Sequence, residues 1–202
     1  MPKTVFFGGT FNPPHISHRL MLECAAALPE VETVLVVPTN IPPHKALGRF
    51  MASGADRLRM CSLLCEGVEK AVVSDIELKR GGKSYSVDTL TELNLMYGDL
   101  YMLIGGDMVT TFNRWYRYKD ILKLCTLLAV RRKGVDNVEF DRAVDGIICD
   151  GGAVTVIDTV LPKVSSTELR ERLKNSDPDG LLIPQNIKEY IYLNGLYRGE
   201  KQ

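Results

Sequence analysis

Two histidines three residues apart, His15 and His18, follow directly on the stretch Gly8-Gly9-Thr10-Phe11-Asn12-Pro13-Pro14. Imidazoles at that spacing lie on one face of a helix and reach one place together. Paired glycines let a backbone turn and approach a ligand with no Cβ in the way. A helix opening near His15 or Ile16 would aim its free N–H groups and the positive end of its dipole at that place, which suits a phosphate. The chemistry indicated is the holding of a nucleotide's phosphates. No Ser-His-Asp or Cys-His arrangement offers a protein nucleophile. The plainer alternative is a strand, a turn and a helix that carries two surface histidines.

The elements that must position these residues are legible on either side. Thr4-Val5-Phe6-Phe7 reads as a buried strand, and Leu20, Met21, Leu22, Cys24, Ala25 and Leu28 recur at helical spacing behind the loop. Further strands are expected at residues 33–37, 71–74, 100–104, 124–130 and 154–157. Helices are expected at 53–65 (Leu58, Cys61, Leu64 and Cys65 inward), at 86–97 (Val87, Leu90, Leu93 and Leu95 inward) and, more briefly, at 139–144. Ser165 and Glu168 form the sequence of a capping box that opens a helix to about Leu173. A last helix runs from Pro184 to a stop at Gly195. Strands alternating with helices predict a doubly wound parallel α/β sheet of Rossmann-like type, with a small helical C-terminal part. Residues 1–202 read as a single domain, without repeats, low-complexity tracts or linkers.

Composition narrows the classes. The chain has 202 residues, 45% hydrophobic, with 25 basic and 25 acidic side chains that cancel. It is long enough for one well-buried domain, and the charge balance argues against general nucleic-acid or membrane-surface binding. No apolar run approaches the ~20 residues of a membrane span. The opening Met1-Pro2-Lys3 runs at once into a strand without a signal-peptide pattern. The five cysteines (Cys24, Cys61, Cys65, Cys125 and Cys149) contain no CxxC pair. Cys61 and Cys65, four apart, could meet a metal with His44, but buried free thiols in a reducing cytoplasm are the simpler expectation. A resident metal site is therefore not expected, and the expected location is cytoplasmic.

In an open α/β sheet, ligands sit beyond the carboxyl ends of the strands, so the loops after strands deserve the search. Besides the first, four hold distinctive residues. Pro38-Thr39-Asn40-Ile41-Pro42-Pro43-His44-Lys45 is stiffened by proline and offers Lys45 as a cation for a phosphate, or simply as a solvated lysine. At Lys83-Ser84-Tyr85-Ser86, Ser86 can cap a helix whose N–H groups could equally receive an anion. Gly105-Gly106-Asp107 precedes Arg114-Trp115-Tyr116; Asp107 could be an N-cap, a ribose acceptor or a water-mediated metal contact. Trp115, the only tryptophan, could stack on a planar ring or belong to the core. Last, Ser165, Ser166 and Thr167 open a helix with Arg170 one turn inside, which together make an anion site.

The first loop closely resembles the signature of the nucleotidyltransferase superfamily, Gly-Gly-Thr/Ser-Phe-Asn/Asp-Pro-x-His-x-Gly-His, with Ser17 where a glycine is usual. The other loops resemble one branch, the bacterial nicotinate-nucleotide adenylyltransferases. Residues 38–45 are similar to Pro-Thr-x-x-Pro-Pro-His-Lys, 84–90 to Ser-Tyr-Thr-x-Asp-Thr-Leu with Ser86 in the threonine place, and 105–107 to Gly-Ala/Gly-Asp. Arg114-Trp115 and residues 164–170 (Ile-Ser-Ser-Thr-x-Ile/Leu-Arg) also match, as does the closing Tyr190 to Tyr197; Arg132-Lys133-Gly134 matches Arg-Pro-Gly only in part.

The resemblance implies transfer of the adenylyl group of ATP to nicotinate mononucleotide, giving deamido-NAD and pyrophosphate, with Mg²⁺ accompanying ATP. It implies catalytic roles for His15, His18 and Arg170. An ATP site of Gly8, Gly9, Thr10, Phe11, His15, His18, Gly105, Asp107, Arg132, Ser165, Ser166, Thr167 and Arg170 follows, with a mononucleotide site of Asn40, His44, Lys45, Ser86, Trp115 and Tyr116. The implied partners are the two nucleotides, with neither nucleic acid nor membrane, and room is left for a homo-oligomer. The rivals are adenylyl transfer to phosphopantetheine, cytidylyl transfer, and a non-catalytic nucleotide sensor; the Trp115 and Ser86 segments count against the first two, the intact histidines against the third.

Overall fold

The computed structural model describes residues 2–43, 51–132, 137–175 and 180–198, and of Arg132 the main chain only. The chain begins with the expected βαβ unit. Strand β1 (Lys3–Gly9) feeds helix α1 (Ile16–Ala26), which returns to β2 (Val31–Pro38). Helix α2 (Gly54–Cys65), β3 (Ala71–Val73), a short α3 (Ile76–Arg80) and α4 (Ser86–Tyr97) lead to β4 (Leu100–Gly105). A one-turn α5 (Gly106–Val109), a 3₁₀ turn at Phe112–Arg114 and α6 (Tyr118–Leu124) precede β5 (Cys125–Arg132). Helix α7 (Val138–Cys149), β6 (Val154–Thr159), α8 (Ser166–Lys174) and α9 (Gln185–Leu193) complete the described chain.

The six strands lie in the order β3-β2-β1-β4-β5-β6, and every pairing is parallel. Strand order therefore reverses between β1 and β4, the place where an open sheet splits its connections to opposite faces and leaves a crevice. The cores confirm the double winding. Val5, Phe7, Val34, Val36, Leu128 and Val130 face one side, with α1, α2, α8 and α9 over them. Their neighbours Phe6, Leu35, Val37, Leu127 and Ala129 face the other, under α4 to α7. Near-continuous apolar strands are what a sheet covered on both faces requires.

Three local expectations are corrected. Leu95 is 84% exposed. It lies two residues from Leu93, about 200° around the helix at ~3.6 residues per turn, and so faces away from the stripe made by Val87, Leu90 and Leu93. The inner face of α2 is Arg57, Met60, Cys61 and Leu64, while Leu58 and Cys65 are only half-buried. Helix α7 is twice the expected segment, because its inward stripe of Phe140, Ala143, Val144 and Ile147 runs past the expected end at residue 144. No helix among the described residues is long and apolar enough to cross a membrane.

Candidate functional site

The carboxyl ends of β1 and β4 open into a cleft of about 1050 Å³. That volume is at the upper end of small-molecule sites. Its walls carry Gly8, Gly9, Thr10, Phe11, His15 and His18 from the first loop and Gly105 and Asp107 from the fourth. Ser165, Ser166, Thr167 and Arg170 come from α8 and its approach, and Ser86, Trp115 and Tyr116 stand on the remaining side. Residues drawn from four separate loops thus meet in one place. Asn40 is not on the wall. Its main-chain N–H donates to Ser84 Oγ (2.9 Å) and its side-chain amide to the Gly82 carbonyl (3.0 Å). His44, Lys45 and the Arg132 side chain lie outside the described residues.

The first loop is built differently from a simple glycine turn. Gly8 and Gly9 keep φ outside the left-handed region, which Phe11 occupies instead (φ 47°). What Gly8 requires is space: a Cβ there would come within 2.5 Å of the Phe6 ring. His15 is the N-cap of α1 and lies just before the helix, with extended backbone. Its main-chain N–H donates to Nδ1 of His18 (3.1 Å), and the two rings stack with centroids 3.6 Å apart. With Nδ1 of His18 occupied as an acceptor, the proton of its neutral ring sits on Nε2. Burial pushes the His15 pKa down to about 4. His15 is therefore a neutral imidazole at pH 7, a hydrogen-bonding group and no cation.

The α8 segment is docked onto this loop. Ser166 Oγ donates to the Pro13 carbonyl (2.8 Å), and the Arg170 guanidinium donates to the Asn12 carbonyl (2.7 Å) and to Thr167 Oγ1 (3.1 Å). Ser165 caps the helix by accepting from the Glu168 N–H (3.2 Å), the expected half of the capping box. Ser17, in the glycine place, turns its hydroxyl to the Pro162 carbonyl (2.9 Å).

On the acceptor side, Ser86 is the first residue of α4 and not its cap. The cap position belongs to Tyr85, which supplies no side-chain bond. The Ser86 and Val87 N–H groups at the start of α4 have no carbonyl of their own helix to bond, and Ser86 lines the cleft, whereas the Asp88 N–H already donates to the Tyr85 carbonyl (3.1 Å). Tyr85 and Tyr116 rings meet at 4.5 Å, and half-buried Trp115 rests on Phe112 at 5.3 Å. Trp115 is thus both core and wall, the two readings the sequence left open. Asp107 is exposed in the first turn of α5. Cys61 and Cys65 are free thiols whose pKa values burial raises, to about 12 for Cys65.

The chain has documented relatives. Residues 6–172 match the family model described as cytidylyltransferase-like. A probable nicotinate-nucleotide adenylyltransferase of Lactococcus lactis subsp. lactis is 38% identical over 200 residues, covering 97% of this chain and 95% of the relative. Another, of Halalkalibacterium halodurans, is 36% identical over 203 residues, covering 98% and 92%. The chain belongs to the nicotinate-nucleotide adenylyltransferases, within the cytidylyltransferase-like family. The Plasmodium falciparum nicotinic acid mononucleotide adenylyltransferase solved in complex with APC has the same fold, with a TM-score of 0.78 at 16% identity and 98% coverage of both chains.

Membership in this family leaves several wall residues that motif reading passed over. Asn12, Thr39, Glu77, Ser84, Glu171 and Lys174 all line the cleft. Lys174 had a readable signal: it follows Arg170 by four residues, one helical turn, on the same face of α8. Glu77 is 2% exposed and accepts from Thr89 Oγ1 (2.6 Å), and its burial raises its pKa. Nothing in the stretch around Glu77 marks it as buried.

Proposed function

We propose that the cleft transfers the adenylyl group of ATP to nicotinate mononucleotide, releasing pyrophosphate and forming deamido-NAD. One observation carries this reading: the His15–His18 stack and the Ser165–Arg170 segment stand opposite Ser86, Trp115 and Tyr116 across a single cleft at the sheet's switch point. Relatives that align over nearly the whole chain bear the name of that reaction.

The attacking group is the mononucleotide phosphate, whose second pKa of about 6 leaves it mostly dianionic at pH 7. It attacks the α-phosphorus, and the bond to the bridging oxygen of the β-phosphate breaks, so no protein base is needed. The protein supplies alignment and charge stabilisation. Gly8, Gly9, Thr10 and Phe11 let the triphosphate approach the backbone. His15, as a neutral ring, and His18, through Nε2–H, hold phosphate oxygens, and Arg170 with Ser165, Ser166 and Thr167 receives the leaving pyrophosphate. Gly105 and Asp107 face the ribose, and Arg132 is assigned to ATP by the partial resemblance of its segment to Arg-Pro-Gly. Trp115 stacks on the pyridine ring, and the N–H groups at Ser86 and Tyr116 receive its carboxylate. Asn40 acts by holding its loop, and the resemblance assigns His44 and Lys45 to the mononucleotide.

Among the described residues, no three His, Cys, Asp or Glu side chains converge to hold a metal ion. The acidic residues on the wall are Glu77, Asp107 and Glu171. That donor set suits a Mg²⁺ carried in by the triphosphate, with Asp107 as its carboxylate contact. Such an ion would neutralise charge on the departing phosphates. Five free thiols suit a reducing cytoplasm.

The test is pyrophosphate release from ATP with a panel of acceptors: nicotinate mononucleotide, nicotinamide mononucleotide, phosphopantetheine and none. Release with nicotinate mononucleotide above all others is expected. Preference for phosphopantetheine, or ATP binding without release, would replace the reading.

A further inference from the structure

Arg57 is 2% exposed, and its guanidinium is spent on main-chain carbonyls. Nε donates to Ala52 (3.3 Å), Nη1 to Thr10 (3.2 Å) and Thr39 (2.5 Å), and Nη2 to Asn40 (3.4 Å). These carbonyls come from both loops of the transfer reading. Thr10 belongs to the loop after β1, assigned to ATP, and Thr39 and Asn40 to the loop after β2, assigned to the acceptor. The same two loops are joined by the Thr39 N–H, which donates to the Gly9 carbonyl (2.9 Å). From Ala52 the connection runs on: its N–H donates to Asn12 Oδ1 (3.0 Å), and the Asn12 carbonyl accepts from Arg170 (2.7 Å). A buried cation is tolerable only when its donors are satisfied, and a planar fork spreads five donors over a fixed frame where an ammonium offers three from a single point. Arg57 is not on the cleft wall. Whatever it does to substrates, it does through the loops.

We propose that Arg57 is a positioning residue for the transfer, a buried tie that fixes the separation between the loop holding the adenylyl donor and the loop beside the acceptor. The proposal rests on the transfer reading given above. In-line displacement is sensitive to the distance between attacking oxygen and phosphorus, and a misplacement of about 1 Å can lower the rate on the order of 10²-fold. Each loop also has contacts that do not involve Arg57: Ser84 receives the Asn40 N–H, and Arg170 holds the Asn12 carbonyl. Each substrate should therefore bind much as before, while the chemical step slows.

The experiment compares the whole protein with Arg57→Met and Arg57→Lys, measuring kcat and both KM values per folded molecule. Expected is a kcat loss on the order of 10²-fold in both variants, with KM for ATP and for nicotinate mononucleotide within about 3-fold of the parent. Arg57→Lys keeps the charge, so its matching loss separates geometry from electrostatics; it also carries the test where Arg57→Met does not fold. An unchanged kcat beside a lowered Tm would overturn the proposal, as would a rise confined to the KM values. An inactive parent protein would overturn the transfer reading first, and the proposal with it.

Discussion

The rings of His15 and His18 stack 3.6 Å apart, and the main-chain N–H of His15 donates to Nδ1 of His18. The bond makes the pair a unit. It fixes the second ring's tautomer and sets its orientation by the backbone of the first.

That arrangement gives the first prediction. His18→Ala should lower kcat/KM on the order of 10²-fold or more, the scale of losing one preorganised donor to a developing negative charge. His18→Gln, whose amide nitrogen can stand near the place of Nε2, should lose distinctly less. His18→Asn should behave like the alanine variant. Equal losses for Gln and Ala would mean that the Nε2 proton is not what acts.

The second prediction concerns pH and stability. His15 is 7% exposed, and burial holds its pKa near 4, below the ordinary 6.5. The unfolded chain thus binds a proton more readily between those values, so stability is complete above pH 6.5 and declines as pH falls toward 4. The loss from this group between pH 7 and pH 5 should be about 2 kcal/mol. Urea unfolding of the parent protein and His15→Asn at both pH values checks this, because asparagine can keep the N-cap place without titrating. The difference between the two proteins should shrink at pH 5 if the imidazole is responsible.

How much of this was legible in the sequence follows from how far apart the cooperating groups lie. The loop from Gly8 to His18 and the segment from Ser165 to Arg170 each carry their chemistry within about a dozen residues, so their local spacing announced it. The doubly wound parallel sheet followed from alternation of strands and helices, whereas the order β3-β2-β1-β4-β5-β6 depends on pairings distant in sequence. The roles of the two glycines did not: Gly8 makes room for the Phe6 ring, and the left-handed residue is Phe11. Arg57 was hidden because a charged residue on α2 reads as solvent-facing. Its signal was that Arg57, Met60, Cys61 and Leu64 share the i, i+3, i+4, i+7 stripe, which places a cation in the core. The helices α3, α5 and α6 are too short for a periodic pattern to stand out.

The third prediction separates the two subsites. Arg170 spans the Asn12 carbonyl and Thr167 Oγ1 on the side assigned to ATP. Arg170→Ala should weaken ATP binding by at least ~10-fold, the loss of one charge-assisted hydrogen bond of about 1.5–3 kcal/mol. Affinity for nicotinate mononucleotide should be unaltered. Calorimetry with each nucleotide alone reads both, and the reverse pattern would exchange the subsites.

The last prediction concerns the pyridine ring. Nicotinate mononucleotide carries a carboxylate where nicotinamide mononucleotide carries a neutral amide. The start of α4 at Ser86 presents N–H groups with no intrahelical carbonyl, an environment that favours an anion. An amide oriented there would turn an NH₂ group toward donors and leave them unpaired, at a cost of about 1–3 kcal/mol for each. The acid should therefore be preferred by at least ~10²-fold in kcat/KM, which corresponds to about 2.7 kcal/mol. Trp115, resting on Phe112, offers a π-face that does not distinguish the two substituents. Trp115→Ala should accordingly weaken both mononucleotides together and leave their ratio within about 3-fold of the parent. Ser86→Pro, at the first position of α4 where proline is tolerated, removes one N–H, and it should lower the ratio without comparable loss on the amide. Side-by-side kcat/KM values on the two mononucleotides measure all three proteins. A parent that used both equally would show that no carboxylate site is formed at Ser86, and the preference would then have to be sought in the loop that carries His44 and Lys45.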